Sequence, residues 1–440
     1  MSIDYSTGSN SLSQRAQECA KIDDGKNPIW DIYNNQWHPQ DNPNGYLSLG
    51  VAENTLMHGE LRDYVNKTAQ VTEFAFTYGD GPTGTKRLKQ AVARFLNRKL
   101  SPVVSVKAEH VVITNGVSAA IEHVSWAFCN PGDGFLLGQP YYTAFIADIT
   151  MRPAVQVVKV TFGDVDPMSL EAVDNYEKAI IAARERGTAV KALMLCSPHN
   201  PLGRCYSRDV LIKYLQLCQK YSLHLVSDEI YALSVWENQH DRSPAPVSFT
   251  SILSIPLQGL INPELVHVLY GMSKDFCANG LRIGYIISQH NPAFLRALVD
   301  VTIWSYSSSV AEVIASNILE DDQWVDDYIR TNQKRLSDNH SFVVRFLNQH
   351  QISYSPGSNA AFFLWADLGK RYVELRGGKT VNEGVTKEIF DSLLKNKVFL
   401  GSGSHFGAET PGLFRIVFSH PRPYLEEALQ RVLRAVNVQN

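Results

Sequence analysis

Lys274 stands eight residues before Arg282 in the run Val266-His-Val-Leu-Tyr-Gly-Met-Ser-Lys-Asp-Phe-Cys-Ala-Asn-Gly-Leu-Arg-Ile-Gly284. The apolar stretch from Val266 to Tyr270 predicts a strand that ends in a short polar turn holding one lysine. A lysine amine in such a turn can condense with an aldehyde to a Schiff base and, once released, move protons. An exposed lysine has a pKa near ~10.4 and is a poor base at neutral pH, so its surroundings must lower it. Alone, a lysine after a strand is most often a solvated loop residue. Two other segments change that reading: Ser197-Pro-His-Asn-Pro-Leu-Gly-Arg204 and Val226-Ser-Asp-Glu-Ile-Tyr231. Asp228 closes the apolar run Leu223–Val226, and a buried carboxylate is costly unless a cation or donors meet it. Capping of a following helix would explain Asp228 but not Tyr231. Asn200-Pro201 alone is a turn signal. Here it follows the strand pattern Ala192–Cys196, at the carboxyl end of a strand, where open α/β sheets bind ligands.

Three more places suit anions or flat rings. Val111–Thr114 reads as a strand, and Asn115-Gly-Val117-Ser118 then opens a helix. Free N–H groups at a helix start attract phosphate, and Ser118 adds a hydroxyl. Tyr142 follows the short strand Gly134–Leu137, where core packing is the plain alternative. Arg415 lies in Gly412-Leu-Phe-Arg-Ile-Val-Phe-Ser419. An arginine fork there could clamp a carboxylate, or could simply face solvent from the strand.

Taken together, these segments resemble the active site of pyridoxal-phosphate (PLP) enzymes of the aspartate-aminotransferase fold type. The resemblance is closest to the 1-aminocyclopropane-1-carboxylate (ACC) synthase-like branch, in a divergent fungal-type form, and it runs from about residue 45 to 435. It implies pyridoxal 5′-phosphate as cofactor, bound through Lys274. It implies that Asp228 pairs with the pyridine nitrogen and that Tyr231 and Asn200 hold the phenolic oxygen. Tyr142 would stack on the ring; Val117, Ser118, Ser273 and Arg282 would hold the phosphate. Arg415 would bind the substrate α-carboxylate. Tyr78 would reach the phosphate of a neighbouring subunit, which makes a homodimer, although one extra residue separates it from Gly84 relative to the family pattern. Glu53, in Leu47-Ser-Leu-Gly-Val-Ala-Glu-Asn-Thr-Leu56, matches the branch's characteristic glutamate and would sit near the substrate side chain; a capping or surface role is its alternative. Three features depart from the plant-type synthases: Gly271, the run Cys277-Ala-Asn-Gly280, and Asn359-Ala-Ala361.

Composition agrees with an enzyme of this kind. The chain is 44% hydrophobic and 19% charged with a net charge of −3, a globular profile with nothing that points to nucleic acid or acidic membranes. No apolar run approaches the ~18 residues a membrane span needs. Six cysteines without Cys-x-x-Cys or zinc spacing read as reduced thiols in a cytoplasmic protein, and no metal motif is present. From 75 to 305, short apolar strands alternate with helical segments such as 117–129, 168–186 and 207–221, which predicts a mainly parallel sheet covered on both faces. Residues 352–356 and 360–368 read as strands, and 383–397 and 424–436 as amphipathic helices. The expected fold is α/β: a large PLP-binding domain at 75–305, a smaller α/β domain from 29–74 with 306–440, and an N-terminal arm at 1–28.

Fold does not choose the reaction, since one PLP scaffold hosts several. An elimination is the first expectation: a carbon–sulfur lyase of the kind found in fungal sulfur metabolism, or ACC synthesis from S-adenosylmethionine. The alternative is an aminotransferase, which uses the same lysine and electron sink. A PLP-binding protein without turnover is the third. In each case the partner is a small amino-acid-type substrate.

Overall fold

The computed structural model describes residues 12–22, 28–241 and 243–437. Of the arm expected at 1–28, Gln14–Ile22 is a helix, and residues 1–11 and 23–27 lie outside the described residues. The strands in chain order are β1 (Leu47–Ser48), β2 (Val111–Asn115), β3 (Gly134–Gly138), β4 (Gln156–Val160), β5 (Val190–Cys196), β6 (His224–Asp228), β7 (Val266–Gly271), β8 (Ile283–Ile287), β9 (Ser353–Tyr354), β10 (Phe363–Asp367), β11 (Val398–Phe399), β12 (Gly401–Ser402) and β13 (Leu413–Val417).

Seven of them form one sheet in the order β2-β8-β7-β6-β5-β3-β4. All neighbours are parallel except β8, which runs antiparallel to both β2 and β7. The sheet is covered on both faces, so its strands are apolar nearly throughout. Alternate side chains go to opposite cores. Val112, Phe135, Met194, Val226, Leu269 and Ile286 meet the helices Gly116–Phe128, Ala144–Thr150 and Pro292–Val301. Ile113, Leu136, Leu193, Leu225, Val268 and Tyr285 meet the helices Lys86–Leu100, Ala172–Glu185 and Arg208–Tyr221. The architecture is α/β with a mainly parallel sheet, as the sequence predicts.

A second core gathers Leu47, Leu49 and Ala52 with residues from Leu336 to Val436. Its frame is the antiparallel sheet β12-β13-β10-β9, with β1 paired to β11 alongside. The two cores meet inside the 28-residue helix Asp322–Gln349. Val325, Tyr328 and Ile329 pack into the large core, whereas Leu336, Val343, Val344 and Leu347 pack into the small one. The preceding helix Ser309–Glu320 belongs wholly to the large core through Ala311, Ala315, Ile318 and Leu319.

Candidate active site

The sheet ends β5, β6 and β7 all stop at one place, and the turns that leave them line a single cavity. Its walls include Val117, Ser118, Tyr142, Asn200, Asp228, Tyr231, Ser273, Lys274 and Arg282. Nine of the twelve residues singled out in the sequence are therefore brought together. Ile121, Phe145, Cys196, Ile230 and Asn279 complete the wall.

One end of the cavity is built for an anion. The helix Gly116–Phe128 starts there, and its first N–H groups have no helical acceptor. Gly116 has φ +78°, and a Cβ on it would overlap the Arg282 guanidinium. Arg282 itself adopts φ +55°, uncommon for a residue with a side chain. Its Nη1 donates to the Asn279 carbonyl at 3.0 Å. A glycine without a side chain and an arginine in a left-handed turn thus share the space at the helix start.

The other end is acidic. Asp228 is 4% exposed, and its Oδ1 accepts the Ile230 N–H at 3.2 Å. The capping reading of this residue therefore holds in part, but one weak donor does not compensate a buried carboxylate. Burial pushes its pKa up to about 7, against the pull of that hydrogen bond and of Lys274. Lys274 lies between the two ends. Burial first, and then the charge of Arg415, lower its ammonium to about 8, while Glu53 and Asp228 act in the opposite direction. Its Nζ donates to the Ala52 carbonyl at 2.7 Å.

Ala52 belongs to a strap, residues 49–57, that meets Lys274 through the Ala52 carbonyl and Arg415 through the Gly50 carbonyl. Leu49 accepts from Val417 N at 2.8 Å, Ser419 Oγ donates to the Glu53 carbonyl at 2.6 Å, and Asn54 donates to Asn332 at 2.8 Å. Glu53 is half-buried on this strap, outside the cavity wall, with its charge felt at Lys274, Tyr33 and Tyr424. Arg415, on β13, is 3% exposed, so the solvent-facing alternative is excluded. Its Nη1 donates to Asn200 Oδ1 at 2.8 Å and its Nη2 to the Gly50 carbonyl at 2.6 Å. Its Nε is buried with no acceptor, and it stacks between Phe363 and Phe406. A guanidinium buried beside neutral groups alone retains most of its need for an anion.

Tyr231 is buried edge-on against Phe362 and Phe363. Tyr142 meets Phe145 at right angles and lines the cavity. Tyr78 is not in the cavity: its side chain is 89% exposed, with its carbonyl taking the Tyr306 hydroxyl. Phe76, two residues before it, and Trp304, two residues before Tyr306, are each 79% exposed, and Ile303 is 55% exposed. Among the missed wall residues, only Asn279 had a signal in the sequence, as part of the unusual Cys-Ala-Asn-Gly turn; Ile121, Phe145, Cys196 and Ile230 read as ordinary core.

Residues 45–432 match the family model "Aminotransferase class I and II". The "Probable aminotransferase sirI" of Leptosphaeria maculans is 32% identical over 397 residues, covering 88% of this chain and 90% of that protein. The "1-aminocyclopropane-1-carboxylate synthase-like protein 1" of Bos taurus is 31% identical over 446 residues, covering 99% and 85%. Among solved structures, the aspartate aminotransferase of Thermus thermophilus with maleate superposes with a TM-score of 0.72 at 20% identity, covering 97% of this chain and all of that one. That likeness is one of fold.

Proposed function

Because the chain belongs to the class I and II aminotransferase family and is thereby a PLP-dependent enzyme, we propose that it catalyses an elimination on an amino-acid-type substrate carrying a sulfur leaving group. Bound in the cavity, pyridoxal phosphate supplies an electron-withdrawing ring that makes the substrate's Cα–H acidic. The residues fit it. The glycine-lined helix start with Ser118, Ser273 and Arg282 suits the phosphate, and the under-compensated Asp228 carboxylate suits a protonated pyridine nitrogen. Asn200, Tyr231 and Tyr142 line the same cavity; the first two would supply donors to the phenolic oxygen and Tyr142 would stack on the ring.

In this reading Lys274 carries the cofactor and then moves the proton at Cα. An amine near pKa 8 is close enough to neutrality to act as a base. Arg415 grips the α-carboxylate, with Asn200 fixing the guanidinium plane. The observation that carries elimination over transamination is Glu53. Transamination asks for proton transfer by the lysine alone. Elimination of a thiol, as from a cysteine conjugate, also delivers a proton to the departing sulfur, whereas a sulfonium leaves as a neutral thioether. Glu53 is a second acid–base group on the strap that could supply that proton, close enough for its charge to count at Lys274. The second reading, transamination, is favoured by the name of the Leptosphaeria relative, a probable aminotransferase.

The exposed apolar residues Phe76, Tyr78, Ile303 and Trp304 support a homodimer in which Tyr78 reaches the neighbour's phosphate. Cytoplasmic residence is supported by six unpaired cysteines; no helix among the described residues is long and apolar enough to cross a membrane. The reaction is tested by incubating the purified holoenzyme with amino acids, cysteine conjugates and S-adenosylmethionine, and assaying pyruvate, thiol, ACC and pyridoxamine phosphate. Product formation without an amino acceptor supports elimination. Turnover that stops unless a keto acid is added assigns transamination instead.

A further inference from the structure

Next to Lys274 lies a carboxylate with no role in the reaction described above. Asp275 is fully buried. Its Oδ2 accepts the Leu233 N–H at 2.9 Å and the Tyr270 hydroxyl at 2.9 Å, and its Oδ1 accepts the Ser234 hydroxyl at 2.6 Å. These donors come from two places. Tyr270 is on β7, four residues before the lysine. Leu233 and Ser234 are in the turn that follows Asp228 and Tyr231, and this turn closes on itself through Ala232 N to the Glu229 carbonyl and Ser234 N to the Tyr231 carbonyl. A single carboxylate therefore ties the turn that bears the lysine to the turn that bears the ring-contacting Asp228 and Tyr231.

We propose that Asp275 is a positioning residue that sets the reach of Lys274 relative to Asp228 and Tyr231. The proposal rests on Lys274 being the cofactor-bearing lysine. The ring that Lys274 must meet is held by the second turn, so the separation of the two turns decides whether the amine arrives at the bonding atom. Three donors on one buried carboxylate make that separation stiff. Nothing about burial alone requires this arrangement. Asp241 is a second buried carboxylate with a similar donor set, Tyr354 hydroxyl, Asn238 Nδ2 and Gly357 N–H, and it lies outside the cavity wall.

That pair supplies the test. Tyr270→Phe and Tyr354→Phe each delete one tyrosine-to-carboxylate bond, and Asp275→Asn replaces acceptor lone pairs facing Leu233 N and Tyr270 with an amide. Each holoenzyme is examined by thermal unfolding, by pH titration of the visible band of the lysine-linked cofactor, and by steady-state kinetics. We expect all three to lower Tm. Only Tyr270→Phe and Asp275→Asn should move the titration midpoint, by roughly half a unit or more. They should lower kcat, about 100-fold for Asp275→Asn, the loss that a displacement of about 1 Å brings, with KM within about threefold. If Asp275→Asn does not fold, Tyr270→Phe and Ser234→Ala carry the same test. Variants that lose Tm like Tyr354→Phe but keep the wild-type titration and kcat overturn the proposal. Failure of the underlying reading has a different mark: borohydride reduction and peptide mapping of the wild type would then locate the cofactor on another lysine.

Discussion

Asp228 offers a stability measurement whose sign and size follow from its burial. Its pKa of about 7 in the folded protein compares with 3.8 for an unperturbed aspartate. Between those values the folded state holds a proton that the unfolded state has lost. Stability of the cofactor-free protein therefore falls as pH rises from about 4 to about 7. From pH 5 to pH 8 the difference amounts to one proton over roughly two units, or about 3 kcal/mol. Asp228→Asn removes the titration and keeps the shape, so its stability should be flatter with pH by that amount and higher than wild type at pH 8. Glu229 and Asp275 are also raised, to about 7 and about 6. Asp275 slopes both curves alike, and since the Asp228 charge contributes to the Glu229 shift, the difference between the two proteins reports Asp228 together with its effect on Glu229. The assay is urea unfolding of both cofactor-free proteins at pH 5 and pH 8, at one protomer concentration. Added pyridoxal phosphate should then stabilise the wild type more at pH 8 than at pH 5, because a cationic ring nitrogen compensates the ionised carboxylate. Parallel pH profiles for the two proteins, within about 1 kcal/mol, would refute the claim that this carboxylate is under-compensated without its ring partner.

Lys274→Ala should abolish the visible absorbance of the lysine-linked cofactor, checked by borohydride reduction and peptide mapping. Gly116→Ala puts a methyl where the Arg282 guanidinium lies, so cofactor affinity should fall by at least ~10-fold, about 1.4 kcal/mol, in equilibrium titrations while the protein stays folded. Arg415→Ala should cost about 2–5 kcal/mol in kcat/KM for every amino-acid substrate, whereas Glu53→Gln should change the ranking among substrates; an equal loss across the panel would remove Glu53 from the side-chain site. Tyr78→Ala should leave cofactor binding weakened but the subunit fold intact, and sedimentation of the wild type as a fully active monomer would detach Tyr78 from any site.

Much of this site was legible because each turn carries its chemistry within a few residues of a strand. Apolar runs at 111–114, 192–196 and 266–270 become β2, β5 and β7, and the helices predicted at 117–129, 207–221, 383–397 and 424–436 form within three residues of those bounds. What was hidden is long-range. Nothing near residue 52 in the sequence says that its carbonyl will meet Lys274, because that contact depends on Ser419, Val417 and Asn332 holding the strap. Asp275 reads as one more polar turn residue until its donors, about forty residues upstream, are in place. Also hidden was the break at Asp321 between the helices Ser309–Glu320 and Asp322–Gln349, where the Asp321 side chain accepts the Trp324 N–H and starts the second helix.

That break and the helix after it amount to a lever. At ~1.5 Å per residue, the 28 residues reach about 42 Å. The near end is clamped in the large core and the far end in the small one, so Asp321 is the fulcrum. It also takes the hydroxyl of Tyr64, on the helix His58–Thr68 that continues the strap. A tilt of about 5° would sweep the far end through roughly 4 Å. By that geometry an adjustment near Phe276, whose carbonyl takes the Tyr328 hydroxyl two residues beyond Lys274, would be passed along the helix toward the unit that carries Arg415. The turn that bears Lys274 and the unit that carries Arg415 are thus joined through a single helix.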